Sequence, residues 1–537
     1  MSGHFRHDDP RHGDDDDDDD DYDDTERLGP IAGAVEALID DLAGHDAVRR
    51  IWSGDHTLWQ DDPTEVADRL GWLHVPAELA AAAPDLSAFA EAARADGLTH
   101  VVVMGMGGSS LFPEVLARSF PTSADHLALS VLDTTDPAAV RRIIETLPLD
   151  ATLFVASSKS GSTIETRSHL AAMSAVVERP EQFVAITDPG SALAELGTER
   201  GFRAVFENRP DIGGRYSALS HFGMVPAALA GVDLAGMLRS AQVMAEGLAP
   251  GAVAGESDPH EHPGLRLGAT LAAAVRAGRD KLTLIVDPEI AAFGLWLEQL
   301  IAESTGKDGT GLVPIVDEPV GPPEVYGPDR LFVAIGWHPS LDSLAAAGHP
   351  VVELPYEGPL GLGAHVLLWE FATAICGAAL GINPFDQPNV AEAKEATAAV
   401  LADGLPAIPL EPLGGLLAQL RPGDYLAIQA YVDPGDEVVE RLREVRAVLR
   451  DRHLVATALG LGPRYLHSTG QLHKGGPPSG VFVQVVGDDP VDVEIPGAEY
   501  GFSTLKQAQA AGDLLALGSH DLRAGRVAID DLLSVLP

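Results

Sequence analysis

The sequence predicts an α/β protein built on doubly wound parallel sheets: two larger domains followed by a smaller C-terminal α/β segment. Two observations carry this reading. Short apolar runs end again and again in Gly, Ser, Thr or Asp and pass into helical stretches. The runs are continuous rather than alternating in polarity, which marks strands covered on both faces.

The elements follow in order. Residues 1 to 27 hold 13 Asp/Glu and three Arg, with eight consecutive aspartates at 14 to 21. Such a block repels itself and buries no apolar surface, so it is expected to be a disordered acidic tail. The first α/β domain is assigned to 28–245. Its apolar runs are "THVVVMGMGG" (99 to 108), "HLALSVLDTTDP" (126 to 137), "ATLFVASSKSG" (151 to 161) and "QFVAITDPG" (182 to 190). The second domain, 246–402, begins after the loop-like "GLAPGAVAGESDPHEHPG". It has a helix at 262 to 280, strands at 281 to 288, 330 to 337 and 349 to 355, and helices at 290 to 305 and 361 to 381. The last segment, 403–537, reads strand, helix, strand, helix through "DYLAIQAYV", "EVVERLREVRAVLRDRH", "GVFVQVVGD" and "STLKQAQAAGDLLAL".

The formal net charge is −44, of which the first 27 residues carry −10, so the acidity is spread along the whole chain. That argues against nucleic acid or an anionic membrane as a partner. One cysteine, Cys376 in "FATAICGAAL", excludes an internal disulfide and reads as a core residue. With neither an 18-residue apolar run nor a signal pattern, the expectation is a soluble, cytoplasmic protein. Six lysines stand against thirty arginines, and four of the six (Lys159, Lys307, Lys394 and Lys474) fall in polar, Gly-containing motifs.

Five stretches suggest chemistry. "GMGGSSLFPEVL", from Gly105, takes a strand through glycines and hydroxyls into a helix, where free N–H groups bind anions. "SSKSGSTIET" (157 to 166) places hydroxyls around Lys159 on a second strand-to-helix turn, suited to a phosphate monoester. Neither has nucleotide-binding spacing. "GGRYSALSHFG" (213 to 223) sets Arg215 where a guanidinium could face a developing oxyanion. "WLEQLIAESTGKDGTG" (296 to 311) puts Gln299 and Glu303 on one helical face, with Glu303 a candidate proton-shuttling base and Glu298 a solvated neighbour. "GINPFDQPNVAEAK" (381 to 394) is expected to open a helix with Gln387 and Lys394 two turns apart on one face.

Together, in this order, these motifs resemble the glucose-6-phosphate isomerase (phosphoglucose isomerase) family over roughly 95 to 394, most closely the isomerase half of bacterial transaldolase–isomerase fusions. The resemblance implies two sugar-isomerase (SIS-type) domains. It implies interconversion of D-glucose 6-phosphate and D-fructose 6-phosphate through ring opening and a cis-enediol, without a cofactor or metal. Gly108, Ser109, Ser158, Lys159, Ser160 and Thr163 match its sugar-phosphate turns. Glu303 matches the base, Arg215 the residue facing the enediolate, Gln299 and Gln387 substrate contacts, and Lys394 a residue assisting ring opening. A homodimer is implied as well.

The family's ring-opening histidine normally follows the Glu motif, yet 312 to 330 contains no histidine. "LHSTGQ" (466 to 471) resembles the string that carries it in some bacterial members, displaced beyond Lys394. His467 is therefore assigned the ring-opening role, with His338, His349 and His365 as fallbacks; in the family this histidine comes from the neighbouring subunit. His473 and Lys474 are expected at the surface rather than on the sugar hydroxyls. Alternatives are a non-catalytic sugar-phosphate sensor, and an isomerase that also accepts mannose 6-phosphate.

Overall fold

The computed structural model describes residues 27–121, 125–251 and 258–537. The disorder expected of the acidic tail falls at 1–26, outside the described residues. Arg27, assigned to the tail's end, is packed instead: its Nη1 donates to Glu353 Oε2 at 3.0 Å.

Three parallel sheets organise the described residues. The first contains β1 (His100–Met104), β2 (Ala128–Leu132), β3 (Thr152–Ser157), β4 (Phe183–Thr187) and β5 (Ala204–Glu207), in the order β2-β1-β3-β4-β5. The second contains β6 (Lys281–Val286), β7 (Val313–Ile315), β8 (Arg330–Ile335) and β9 (Val351–Leu354), in the order β7-β6-β8-β9. β3, β4 and β8 are buried along their whole length, whereas the edge strands β2, β5 and β9 are mostly half-exposed. Continuous apolar runs at the sheet centres follow from cover on both faces.

The C-terminal segment is more regular than expected. β10 (Tyr425–Tyr431), β11 (Ala456–Leu461), β12 (Gly480–Val486) and β13 (Arg523–Val527) form a third parallel sheet in the order β11-β10-β12-β13. The first strand of each sheet pairs with both its second and its third. That arrangement puts a topological switch point beside the first strand, where open α/β sheets bind ligands at the carboxyl ends.

The boundary expected at 245/246 falls inside the helix Leu234–Leu248, and the loop assigned there begins only beyond it. One continuous apolar core runs from Leu28 to Phe385 and takes residues from both of the first two sheets. On the other face of the first sheet, Ile495, Phe502 and Leu505 of the C-terminal segment join Val102, Phe154 and Met173. A further cluster joins Val313 and Ile315 of β7 to Tyr425, Ala456 and Phe482 of the third sheet. Each fully buried Leu or Phe side chain in these seams contributes about 1.5–3 kcal/mol.

The apolar stretch Pro359–Leu380 is long enough to cross a membrane by length and composition, a run the sequence reading had not registered. In the fold 89% of its most apolar window is buried, and the helix Leu362–Leu380 is a core helix. Cys376 lies on it, fully buried as expected, and burial pushes its thiol up to about 12.

Candidate active site

Both glycine- and hydroxyl-rich turns lie at carboxyl ends of strands in the first sheet. After β1 the chain turns at Gly107 with φ +56°, a conformation that favours glycine. A Cβ on Gly108 would stand 1.9 Å from the Gly214 carbonyl oxygen, so this position admits only glycine against the Arg215 loop. Ser157 Oγ donates to the Ser109 carbonyl at 3.1 Å and ties the two turns together. In the second turn Ser158 Oγ and Thr163 Oγ1 are 2.9 Å apart, and Ser160 Oγ and Ser162 Oγ 2.8 Å. Thr163 immediately precedes the helix Ile164–Val176, whose N-terminal N–H groups favour an anion.

Lys159 does not reach into this turn. Its Nζ lies 2.5 Å from Asp188 Oδ2 and donates to the Pro210 carbonyl at 2.9 Å. The ammonium holds the loops of β3 and β4 together rather than facing the hydroxyls.

A cavity of about 280 Å³ opens beside the second turn, lined among others by Ser160, Ser162, Thr163, Glu165, Lys394 and His467. The motif around 157 to 166, the Lys394 helix and the displaced "LHSTGQ" string therefore meet in space. They do so within one chain. His467 Nε2 is 3.0 Å from Glu165 Oε1. Gln509 Nε2 donates to the same oxygen at 2.7 Å, and Thr135 Oγ1 donates to Gln509 Oε1 at 2.7 Å. Burial opposes the Glu165 charge, but the His467 imidazole and its hydrogen bond outweigh it. The carboxyl therefore stays below its ordinary range.

The sequence reading singled out neither Glu165 nor Gln509. Glu165 lies inside the quoted "SSKSGSTIET", but an acid in a helix's first turn already has a macrodipole explanation. Gln509 comes from the helix Phe502–Ser519, which no local motif connects to the first sheet.

A second, buried cluster lies outside the residues that line the cavity. Arg215 Nη1 stands 3.3 Å from Glu303 Oε1, and both residues are buried. Arg215 Nη2 also donates to the Pro384 and Asp386 carbonyls at 2.9 and 2.7 Å. Gln299 and Glu303 share a face as their spacing predicts: Gln299 Nε2 donates to Glu303 Oε2 at 3.1 Å. The same Nε2 donates to the His467 carbonyl at 2.9 Å and so joins the two clusters. Gly107 makes room for this junction, since a Cβ there would lie 2.7 Å from the His467 carbonyl oxygen.

Other expectations need correction. Gln387 is exposed and precedes the helix Val390–Asp403, so it does not share a helical face with Lys394. Pro388 and the cap at Asn389 delay the helix. Gln471 takes the inner position: its Nε2 donates to Asn389 Oδ1 at 2.8 Å and its Oε1 accepts from Asn389 N at 2.9 Å. Glu298 is buried rather than solvated. Burial raises its carboxyl to about 7 against the pull of Arg446 and Arg464.

His473 and Lys474 are buried too. Lys474 Nζ bonds Asp513 Oδ1 at 2.6 Å, and burial together with Lys474 pushes His473 down to about 3. The fallback histidines belong elsewhere. His365 contacts the Pro355 carbonyl, His349 packs on Phe332 and Tyr326, and His338 accepts from Ser340 N.

Of the six lysines, Lys281, Lys307, Lys474 and Lys506 are buried, Lys159 is half-buried and Lys394 is exposed. Lys307 donates to the Asn383 carbonyl and to Asp386 Oδ1, both at 2.6 Å. Burial, aided by Arg215, brings its ammonium down to about 8 despite Asp386.

The doubly wound parallel sheets, with hydroxyl turns at their carboxyl edge, define an α/β fold of the SIS type. Residues 88–323 match the family model of phosphoglucose isomerase. The chain is 28% identical over 358 residues to the glucose-6-phosphate isomerase of a Cyanothece species, a match covering 57% of this chain and 66% of the relative. The Rubrobacter xylanophilus glucose-6-phosphate isomerase is 28% identical over 371 residues, covering 57% and 84%. The chain thus spans just under two thirds of the length of the first of these relatives. In fold it is similar to a glucose-6-phosphate isomerase structure from Chlamydia trachomatis, with a TM-score of 0.58 and 21% identity over 69% of this chain and 86% of that one. A hypothetical protein from Thermus thermophilus gives a TM-score of 0.59 and 23% identity, covering 69% and 98%.

Proposed function

We propose that the protein interconverts D-glucose 6-phosphate and D-fructose 6-phosphate. The observation that carries the reading is the single cavity lined by Ser160, Thr163, Lys394 and His467, joined to Glu303 through Gln299. The family match ends at residue 323, so the parts given to Lys394 and His467 rest on this geometry.

On this reading the phosphate sits on the hydroxyls of Ser160, Ser162 and Thr163, facing the N-terminus of the helix Ile164–Val176. The His467 imidazole, oriented by Glu165, moves the proton between the ring oxygen and the C1 hydroxyl as the ring opens. Lys394 supplies positive charge from the facing helix. Glu303 then takes the proton from C2 and returns it to C1, while the hydroxyl proton passes in the same sense, from O2 to O1, through the enediol. Arg215, already paired with Glu303, stabilises the enediolate. The homodimer, the cytoplasmic setting and the lack of nucleic-acid and membrane partners suggested by the sequence belong to this proposal.

The test is fructose 6-phosphate turnover by the full-length protein beside Glu303→Gln. The expected result is wild-type turnover with kcat lowered about 10²–10⁴-fold in the variant, at unchanged sugar-phosphate affinity. Binding without turnover in the wild type would overturn the proposal in favour of a sensor. Mannose 6-phosphate offered as substrate separates a strict isomerase from one that also accepts this epimer.

A further inference from the structure

A second cavity, of about 550 Å³, lies between the carboxyl edges of the first and third sheets. Its walls come from the end of β2 and residues 133–134 after it, residues 459–461 of β11, the turn at Pro434 after β10, and the helices Phe293–Thr305 and Asp436–His453. Carboxyl edges are where open α/β sheets take their ligands. Here two such edges face one space.

The walls carry five arginines and five carboxylates. Four of the acids are neutralised in place: Arg464 holds Asp133 at 2.7 Å, Arg118 holds Glu114 at 2.7 Å, and Arg443 pairs with Asp317 and, at 3.2 Å, with Glu440. Glu298 is different. It is 7% exposed, lines the cavity, and has no hydrogen-bond partner among the described residues. Its neighbouring charges are Arg446, Arg464 and Asp317, and burial raises its carboxyl to about 7. A carboxyl this buried that bonds no protein group is unfavourable unless water or a ligand in the cavity satisfies it. Across from it, Arg464 uses one Nη2 contact on Asp133, leaving other guanidinium N–H groups for an anion.

We propose that this cavity is a second ligand site, for a small hydroxylated anion of the sugar-phosphate type, with Arg464 at its anionic group and Glu298 at a hydroxyl. Occupancy would be felt at the first site, because sequence neighbours divide between the two. Glu298 lines this cavity while Gln299 bonds Glu303; Ser468 lines it while His467 lines the other. The inference does not depend on the reaction assigned to the first site.

The experiment is calorimetric titration of the full-length protein with D-ribose 5-phosphate as probe, in three backgrounds. The double variant Lys394→Ala/His467→Ala damages the first cavity only. Val439→Trp, at a half-buried position on the second cavity's wall, fills that space without removing a charge. Glu298→Ala removes the carboxyl. The expected result is binding kept in the double variant and weakened roughly tenfold or more by Val439→Trp and Glu298→Ala. If Glu298→Ala does not fold, Val439→Trp and Arg464→Lys decide. Loss of binding in the double variant, no effect of Val439→Trp, or no binding to the wild type would each overturn the proposal. So would inorganic phosphate binding as tightly as the sugar phosphate, since the hydroxyl contacts would then contribute nothing.

Discussion

His467 Nε2 and Glu165 Oε1 lie 3.0 Å apart although 302 residues separate them along the chain. The imidazole is held at one ring nitrogen by a carboxylate that is itself fixed by Gln509. Replacement His467→Ala is expected to lower kcat with fructose 6-phosphate about 10²–10⁴-fold, with a smaller change in KM. Steady-state rates at equal folded concentration check this. Equal rates in variant and wild type would remove His467 from the reaction.

Glu298 gives a pH dependence with a defined sign. Its carboxyl is raised from 4.5 to about 7 by burial. Below the lower value folded and unfolded chains both hold the proton. Between the two the folded chain keeps it and the unfolded chain releases it, so stability falls as pH rises. Glu298→Gln is expected to be more stable than wild type at pH 8 by about 2 kcal/mol, with the gap closing toward the unfolded value. Urea unfolding at a series of pH values measures the gap. A constant gap would contradict the assignment.

Gly108 is the tightest point of the first turn. Gly108→Ala would set its Cβ against the Gly214 carbonyl and push the Arg215 loop away. The expected outcome is a stability loss of about 2–4 kcal/mol together with a fall in kcat/KM. A melting curve and a rate on one preparation check both. An unchanged melting temperature would mean the loop moves freely, and the packing account would fail.

The Lys474–Asp513 pair is almost sealed from solvent, and Tyr465 donates to the second Asp513 oxygen at 2.6 Å. Lys474→Met leaves a buried charge without its cation and is expected to destabilise by about 3–5 kcal/mol. Lys474→Met combined with Asp513→Leu should recover much of that loss. Denaturant midpoints for the two variants and the wild type decide it; a double variant no better than the single would contradict the ion-pair account.

Much of this arrangement can be read from the sequence, for physical reasons. Strands buried on both faces write themselves as apolar runs, so β1, β3, β4, β6, β8, β10 and β12 are recognisable directly. β5, β7, β11 and β13 are not: "VPI" at 313 to 315 is too short, and "RAGRV" at 523 to 527 has no apolar run. The pairing of Gln299 with Glu303 follows from helical spacing. The contact of His467 with Glu165 does not, because it depends on how the third sheet docks against the first. Lys159, Glu298 and Lys474 were misjudged for one reason: whether a charged side chain is buried depends on elements far away in sequence.

The distribution of the lysines has a practical consequence. Four of the six amines are buried, and the two with solvent contact sit on the hydroxyl turn's loop and on the cavity wall. Among the lysines, an amine-directed reagent would meet almost nothing but the neighbourhood of the candidate site. The extent of lysine labelling, with and without sugar phosphate, thus becomes a footprint of that site without any mutation.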